Sequence, residues 1–236
     1  NKEIRNAILQ LDESKLAAEN ITALKAMAPS PDEISAIKEY SGDPALLGNA
    51  ELFMKEIMDI PRYENRLNVW LFKLKFPQTI SSLQPDIEAL TLAVKELQES
   101  EQFQKLLQIV LAVGNFLNSG RKGIHGFQIS SLVKLKDTRA TGAKMDLLEY
   151  IVSIIEKKYF EVFNFTEELL HIEPAQRVST QNIQTELNEL RTGINQLSAE
   201  IEAFTPADAT DQFRNNMIEF LDFASEKLEE LDTAFQ

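Results

Sequence analysis

The chain has 236 residues, 44% of them hydrophobic, and carries 24 Lys and Arg against 37 Asp and Glu for a formal net charge of −13. That length and apolar content can bury a real core, as one large or two small domains, while the acidity excludes a general nucleic-acid or anionic-membrane binder, which needs a cationic footprint. Cysteine is absent, which removes disulfides, thiolate zinc sites and cysteine nucleophiles.

Eight glycines, eight prolines and long stretches rich in Ala, Leu, Glu, Lys and Gln predict an all-α protein. No apolar run approaches the roughly 20 residues that span a bilayer, and Asn1-Lys2-Glu3-Ile4-Arg5 is not a signal peptide; the expectation is a soluble, cytoplasmic chain. From Asn1 to about Phe76 the pattern is of short helices. Ile4, Ala7, Ile8 and Leu11 form a stripe, and Ser14, Pro29-Ser30-Pro31-Asp32 and Ser41-Gly42-Asp43-Pro44 punctuate it. Ser30-Pro31-Asp32-Glu33 is a helix start with a capping hydroxyl, a proline in the first turn and acids beside it. After Pro61 a helix to Phe76 places Leu67, Trp70, Leu71 and Leu74 on one face and Arg62, Arg66, Lys73 and Lys75 elsewhere; Trp70 is expected to anchor a core.

Pro77 and Pro85 are expected to be joints, followed by a helix over Ile87, Leu90, Leu92, Val94 and Leu97 that ends near Glu99-Ser100-Glu101. Leu106 to Val113 is the most continuously apolar run, so a buried helix runs to Gly114, where Asn115 and Asn118 can cap or cross-link backbone groups left without helical partners. A loop holding Gly120, Gly123 and Gly126 follows. Phe127, Ile129, Leu132, Val133 and Leu135 then recur at short helical spacing, with Lys134, Lys136 and Arg139 on the other side. Ile183, Leu187, Leu190, Ile194, Leu197, Ile201 and Phe204 step by fours and threes, a heptad seam expected to pack within the chain. Pro206 interrupts it, and Phe213, Met217, Phe220, Leu221, Ala224, Leu228 and Leu231 resume an amphipathic helix.

Charge is unevenly spread. Residues 120–145 carry Arg121, Lys122, Lys134, Lys136, Arg139 and Lys144 against Asp137 alone, whereas residues 181–236 carry 12 acidic and 3 basic side chains. A basic patch on an acidic protein suits one acidic partner surface. Gly120, Gly123 and Gly126 lack the order of a phosphate-binding loop and follow a helix instead of a strand. His125 and His171 offer no metal-ligand spacing, and no cofactor is expected.

Gly114-Asn115-Phe116-Leu117-Asn118 and Gly126-Phe127-x-Ile129-Ser130-x-Leu132-x-Lys134-Leu135-x-Asp137-Thr138 resemble the signature of the formin homology 2 (FH2) domain. Arg66-Leu67-Asn68-x-x-Leu71-Phe72-Lys73-Leu74-x-Phe76 upstream and Leu147, Leu148 and Tyr150 downstream support it. The resemblance, to the diaphanous-related type, implies an elongated helical rod made by a single FH2 core over 1–236. It would comprise a knob at 1–76, a connecting helix at 77–102, a post at 103–173 and a returning coiled-coil helix with a C-terminal helix at 174–236.

It also implies a non-enzymatic, cytoskeletal module that binds actin, nucleates unbranched filaments and caps barbed ends processively as a head-to-tail dimer. The actin-contacting set would be Lys134, Lys136, Arg139, Lys144, Arg66 and Lys73, with Arg139 where relatives carry a lysine after Asp-Thr; Glu149 stands where many have histidine. Gly114, Asn115, Phe116, Leu117, Asn118, Gly126 and Phe127 would receive the aromatic strap (lasso) of a partner subunit. On this reading the strap lies upstream of Asn1, so the 236 residues alone are expected to be monomeric. Profilin-actin and Rho-type GTPases would be met through other regions of a formin. The competing class is a helical scaffold that recruits partner helices through Leu187 and Ile194.

Overall fold

The computed structural model describes residues 1–43, 46–118, 123–139 and 144–236; Pro44, Gly120, Arg121 and Lys122 of the sequence reading lie outside them. The α-helices are α1 (Lys2–Gln10), α2 (Ala18–Ala26), α3 (Pro31–Glu39), α4 (Asn49–Ile57), α5 (Tyr63–Glu99), α6 (Glu101–Leu117), α7 (Leu147–Lys158), α8 (Phe165–Glu168), α9 (Ile172–Gln176), α10 (Thr180–Glu202) and α11 (Phe213–Phe235). Two 3₁₀ helices, Ile129–Leu135 and Phe160–Asn164, flank α7. Among the described residues the fold is all-α: the one β pairing is an isolated antiparallel bridge between Arg139 and Asp146. No described helix is long and apolar enough to cross a membrane.

The chain divides into two compact units, one of residues 1–87 with 179–236 and one of residues 88–178. In the first, the heptad residues Ile183, Leu187, Leu190, Ile194, Leu197 and Ile201 are buried, and α10 packs on α11 through Phe213, Met217, Phe220, Ala224, Leu228 and Leu231. The seam is therefore filled from within the chain. Helix α5 joins the same core, where Phe72 and Phe76 meet Phe220 edge to face with ring centroids 5.9 and 5.3 Å apart. Gly193 lets the backbone of α10 approach: a Cβ there would stand 2.4 Å from the Phe72 ring.

Arg66 corrects its assignment to a surface set. Its guanidinium is buried, donating to Asp211 Oδ2 at 2.7 Å and to the Thr205 carbonyl at 2.6 Å, and it lies against the Phe204 and Phe213 rings at 5.1 and 4.9 Å. Asp211 in turn accepts from the backbone N–H groups of Ala207 and Phe213. With its fork and both ring contacts used internally, Arg66 fastens the α10–α11 turn to α5 and has no reach toward a partner. A second tie from the same turn is Asp208, whose carboxyl the Thr210 hydroxyl and N–H, with Arg5 at 2.8 Å, hold down at about 2.

The expected joints at Pro77 and Pro85 are also corrected: α5 passes through both without a break. Both prolines lie on the exposed side, while Phe76, Leu83 and Ile87 hold the buried side. Tertiary packing thus outweighs a local penalty of about 3 kcal/mol per proline.

In the second unit, Ser100 separates α5 from α6. Its hydroxyl caps α6 by accepting from Phe103 N at 3.0 Å and donates to Glu168 Oε2 at 2.5 Å. Nearby, Glu96 accepts from the backbone N–H of His171 at 2.8 Å and meets its Nδ1 at 2.5 Å, contacts that lower the Glu96 carboxyl below its ordinary range. The core is Ile109 and Val110 of α6 with Ile151 and Ile155 of α7 and Val162, and Phe127, Leu132 and Leu135 pack against it. Helix α6 continues past the expected stop at Gly114 to Leu117.

Replacing Arg66 with Ala leaves Asp211 buried without its cation and is expected to lower the unfolding free energy by about 3–5 kcal/mol. Urea denaturation measures this, and a loss within about 0.5 kcal/mol, the range of an ordinary surface substitution, would contradict the buried role.

Candidate partner-binding surface

The surface is built on the end of α6. Asn118 closes that helix by donating from Nδ2 to the Gly114 carbonyl at 2.9 Å. Asn115 grips the chain nine residues on: its Nδ2 donates to Ile124 O and its Oδ1 accepts from Ile124 N, both at 2.9 Å. One amide side chain here replaces a pair of backbone bonds, the cross-linking that the sequence position suggests. Gly114 and Gly126 have open space where a Cβ would stand, so neighbouring atoms do not exclude a side chain at either.

Beyond Phe127 the 3₁₀ helix Ile129–Leu135 turns Leu132 and Leu135 onto the α6–α7 core. Ile129 and Val133, expected with the apolar side, are 58% and 78% exposed; the tighter three-residue repeat carries Leu132 and Leu135 inward and Val133 outward, while Ile129, on the same face as Leu132 but at the first position of the helix, is left exposed. Lys134 lies on this turn, whose end is secured by Thr138 Oγ1 donating to the Lys134 carbonyl at 2.8 Å. Leu147 N then donates to Thr138 O at 2.8 Å, beside the Arg139–Asp146 bridge. Asp146 caps α7 reciprocally: its Oδ1 accepts from Glu149 N and Glu149 Oε2 accepts from Asp146 N, each at 2.9 Å. This gives Glu149 a structural role of its own.

Lys134, Lys136, Arg139 and Lys144 are all exposed, and none makes an ion pair with a described residue. Lys73, in the other unit, is half-buried and paired with Glu13. Beside the cations opens a cavity of about 470 Å³ between Leu117 of α6, the backbone pair Thr138–Arg139 and Met145–Asp146, and Leu147 and Tyr150 of α7. Phe116, next to Leu117, is 72% exposed. The surface thus sets exposed positive charge beside an apolar hollow. Phe127 is instead packed on the core, and Gly126 is not among the lining residues.

The profile of the Formin Homology 2 Domain matches residues 1–236, the whole chain. The chain belongs to the formin homology 2 family. It is 34% identical over 233 residues to protein diaphanous homolog 3 of Homo sapiens, covering 98% of this chain and 20% of that protein. Formin-like protein 13 of Arabidopsis thaliana is 32% identical over 237 residues (99% and 19%), and disheveled-associated activator of morphogenesis 2 of Gallus gallus is 33% identical over 237 residues (98% and 22%). This FH2 domain spans about one fifth of the length of these curated relatives.

Within the FH2 domain, Thr138, Met145, Asp146 and Tyr150 join the surface although residue type alone did not single them out as site residues. Asp146-x-x-Glu149 was the available signal, because a capping box fixes where α7 begins and therefore where its first apolar turn points. Substituting Asn115 with Ala removes both bonds to Ile124. Amide exchange at Ile124 is expected to speed up about tenfold, with about 1 kcal/mol lost in global stability; unchanged protection at Ile124 would show that another contact holds the loop.

Proposed function

We propose that this FH2 domain is a non-enzymatic actin-binding module that, as a head-to-tail dimer, nucleates unbranched filaments and processively caps barbed ends in the cytoplasmic cytoskeleton. The observation that carries the reading is the group of four exposed cations, Lys134, Lys136, Arg139 and Lys144, on a protein of net charge −13. An acidic flank of an actin subunit is the complementary partner, and such charge sets orientation and encounter rate. Lys73 would have to give up Glu13 to take part, so the main contact is assigned to the four.

The apolar hollow beside them supports the dimer. Leu117 lines it and Phe116 stands exposed next to it, so an aromatic side chain from a partner subunit's strap has a seat at the end of the Gly114–Asn118 segment. Asn118 secures the helix end that carries Leu117, and Asn115 holds the chain at Ile124 against the same helix; Phe127 is on the core and Gly126 is off the lining, so neither is assigned to the seat. No bond is made or broken in the formin; two tied cores would hold actin subunits in filament orientation, which is catalysis by positioning. The scaffold alternative needs an open heptad, and Leu187 and Ile194 are buried within the chain.

The test is seeded pyrene-actin elongation with the wild type and with Lys136→Glu/Arg139→Glu. Reversing two contact charges is expected to weaken barbed-end affinity at least about tenfold, more so at low salt. Identical elongation curves would overturn the assignment.

A further inference from the structure

Protein interiors leave few voids larger than a water molecule, yet the core of the second unit encloses a cavity of about 250 Å³. Its walls come from Val110 of α6, Leu132 and Leu135 of the first 3₁₀ helix, Val152 of α7, Phe163 of the second 3₁₀ helix and Phe165 of α8, and every other described lining side chain is also a Leu, Ile, Val or Phe. It shares no described lining residue with the hollow beside the cations. A water molecule needs about two to four polar partners to remain in such a place, and these side chains offer none. The space is therefore dry, and it exceeds the roughly 150 Å³ that admits benzene among Leu, Ile and Phe side chains.

We propose that this cavity is a binding site for a free small apolar molecule, a hydrocarbon or halocarbon of roughly six to ten heavy atoms, and that its occupancy steadies the 3₁₀ helix that carries Lys134. The ligand class follows from the walls. A hydroxyl or amide taken inside would be buried without a hydrogen-bond partner, so each polar group counts against a ligand. The steadying follows from Leu132 and Leu135, which are only partly buried against the core and face empty space on the cavity side, where the contacts of a packed leucine are missing. They also belong to a short 3₁₀ helix, whose hydrogen bonds have poorer geometry than those of α6 and α7. Of the walls, this is the one that a ligand can hold in place. Neither half requires actin.

Benzene is the probe and phenol its polar counterpart. In the 236-residue chain with labelled methyl groups, benzene is expected to give intermolecular NOEs to Val110, Leu132, Leu135 and Ile151 and to bind at least about tenfold more tightly than phenol. At about ten times its dissociation constant it is expected to raise Tm by about 3–6 °C. Amide exchange at Ser131, whose N–H donates to the Gln128 carbonyl at 2.8 Å, is expected to slow about three- to tenfold. Val152→Phe places a ring in the space and is expected to abolish the benzene shift in Tm; a folded Val152→Phe that keeps the shift overturns the site. The NOEs are read on the unaltered chain, so they decide the matter even where that variant does not fold: no NOE to these methyl groups overturns the site. Equal affinity for phenol overturns the apolar class, and bound benzene with unchanged Ser131 exchange overturns the effect on the helix.

Discussion

The proposed partner-binding surface depends on one apolar contact, the seating of Leu132 and Leu135 on the Ile109, Val110, Ile151, Ile155 and Val162 cluster between α6 and α7. Four cations on an open loop would mostly disperse into solvent. Here the intervening leucines are packed, Thr138 is tied back to the Lys134 carbonyl and forward to Leu147, and Asp146 starts a helix. Fully burying one leucine is worth roughly 1.5–3 kcal/mol, so the partial burial of two still exceeds what an exposed ion pair returns. Hydrophobic packing therefore sets the geometry, and the charge is available for use outside the chain.

The first unit shows the same division of labour reversed. There a charge was drawn inside: Arg66, which sits in a stretch that looks like an exposed basic helix, is consumed by Asp211, Thr205 and two phenylalanine rings. Burial of this arginine is tolerable because both terminal nitrogens of its fork have oxygen partners and two rings flank it. The result is a turn between α10 and α11 clamped onto α5, with Gly193 admitting Phe72 on the opposite flank.

Much of this was legible from residue order. The heptad from Ile183 to Ile201, the Ser30 helix start and the Gly114–Asn118 segment all declare themselves through spacing, because each is a local constraint with a fixed period or offset. What stayed hidden depends on contacts across long separations. Arg66 and Asp211 are 145 residues apart, and no periodicity links them. Pro77 and Pro85 signal a break locally, yet the packed face of α5 carries the helix through. The hollow was invisible for a similar reason: its walls come from α6, the 138–146 bridge and α7, and only the Asp146–Glu149 cap hinted at how they meet.

The proposed actin-binding face is formed by residues 129–139 and 144–150. Hydrogen–deuterium exchange of the chain with and without actin filaments addresses it directly, because it reports every region at once and needs no substitution. Slowed exchange over Ile129–Arg139 and Lys144–Tyr150 is expected. Protection confined to α10 or to the first 76 residues, with those two stretches unchanged, would contradict it.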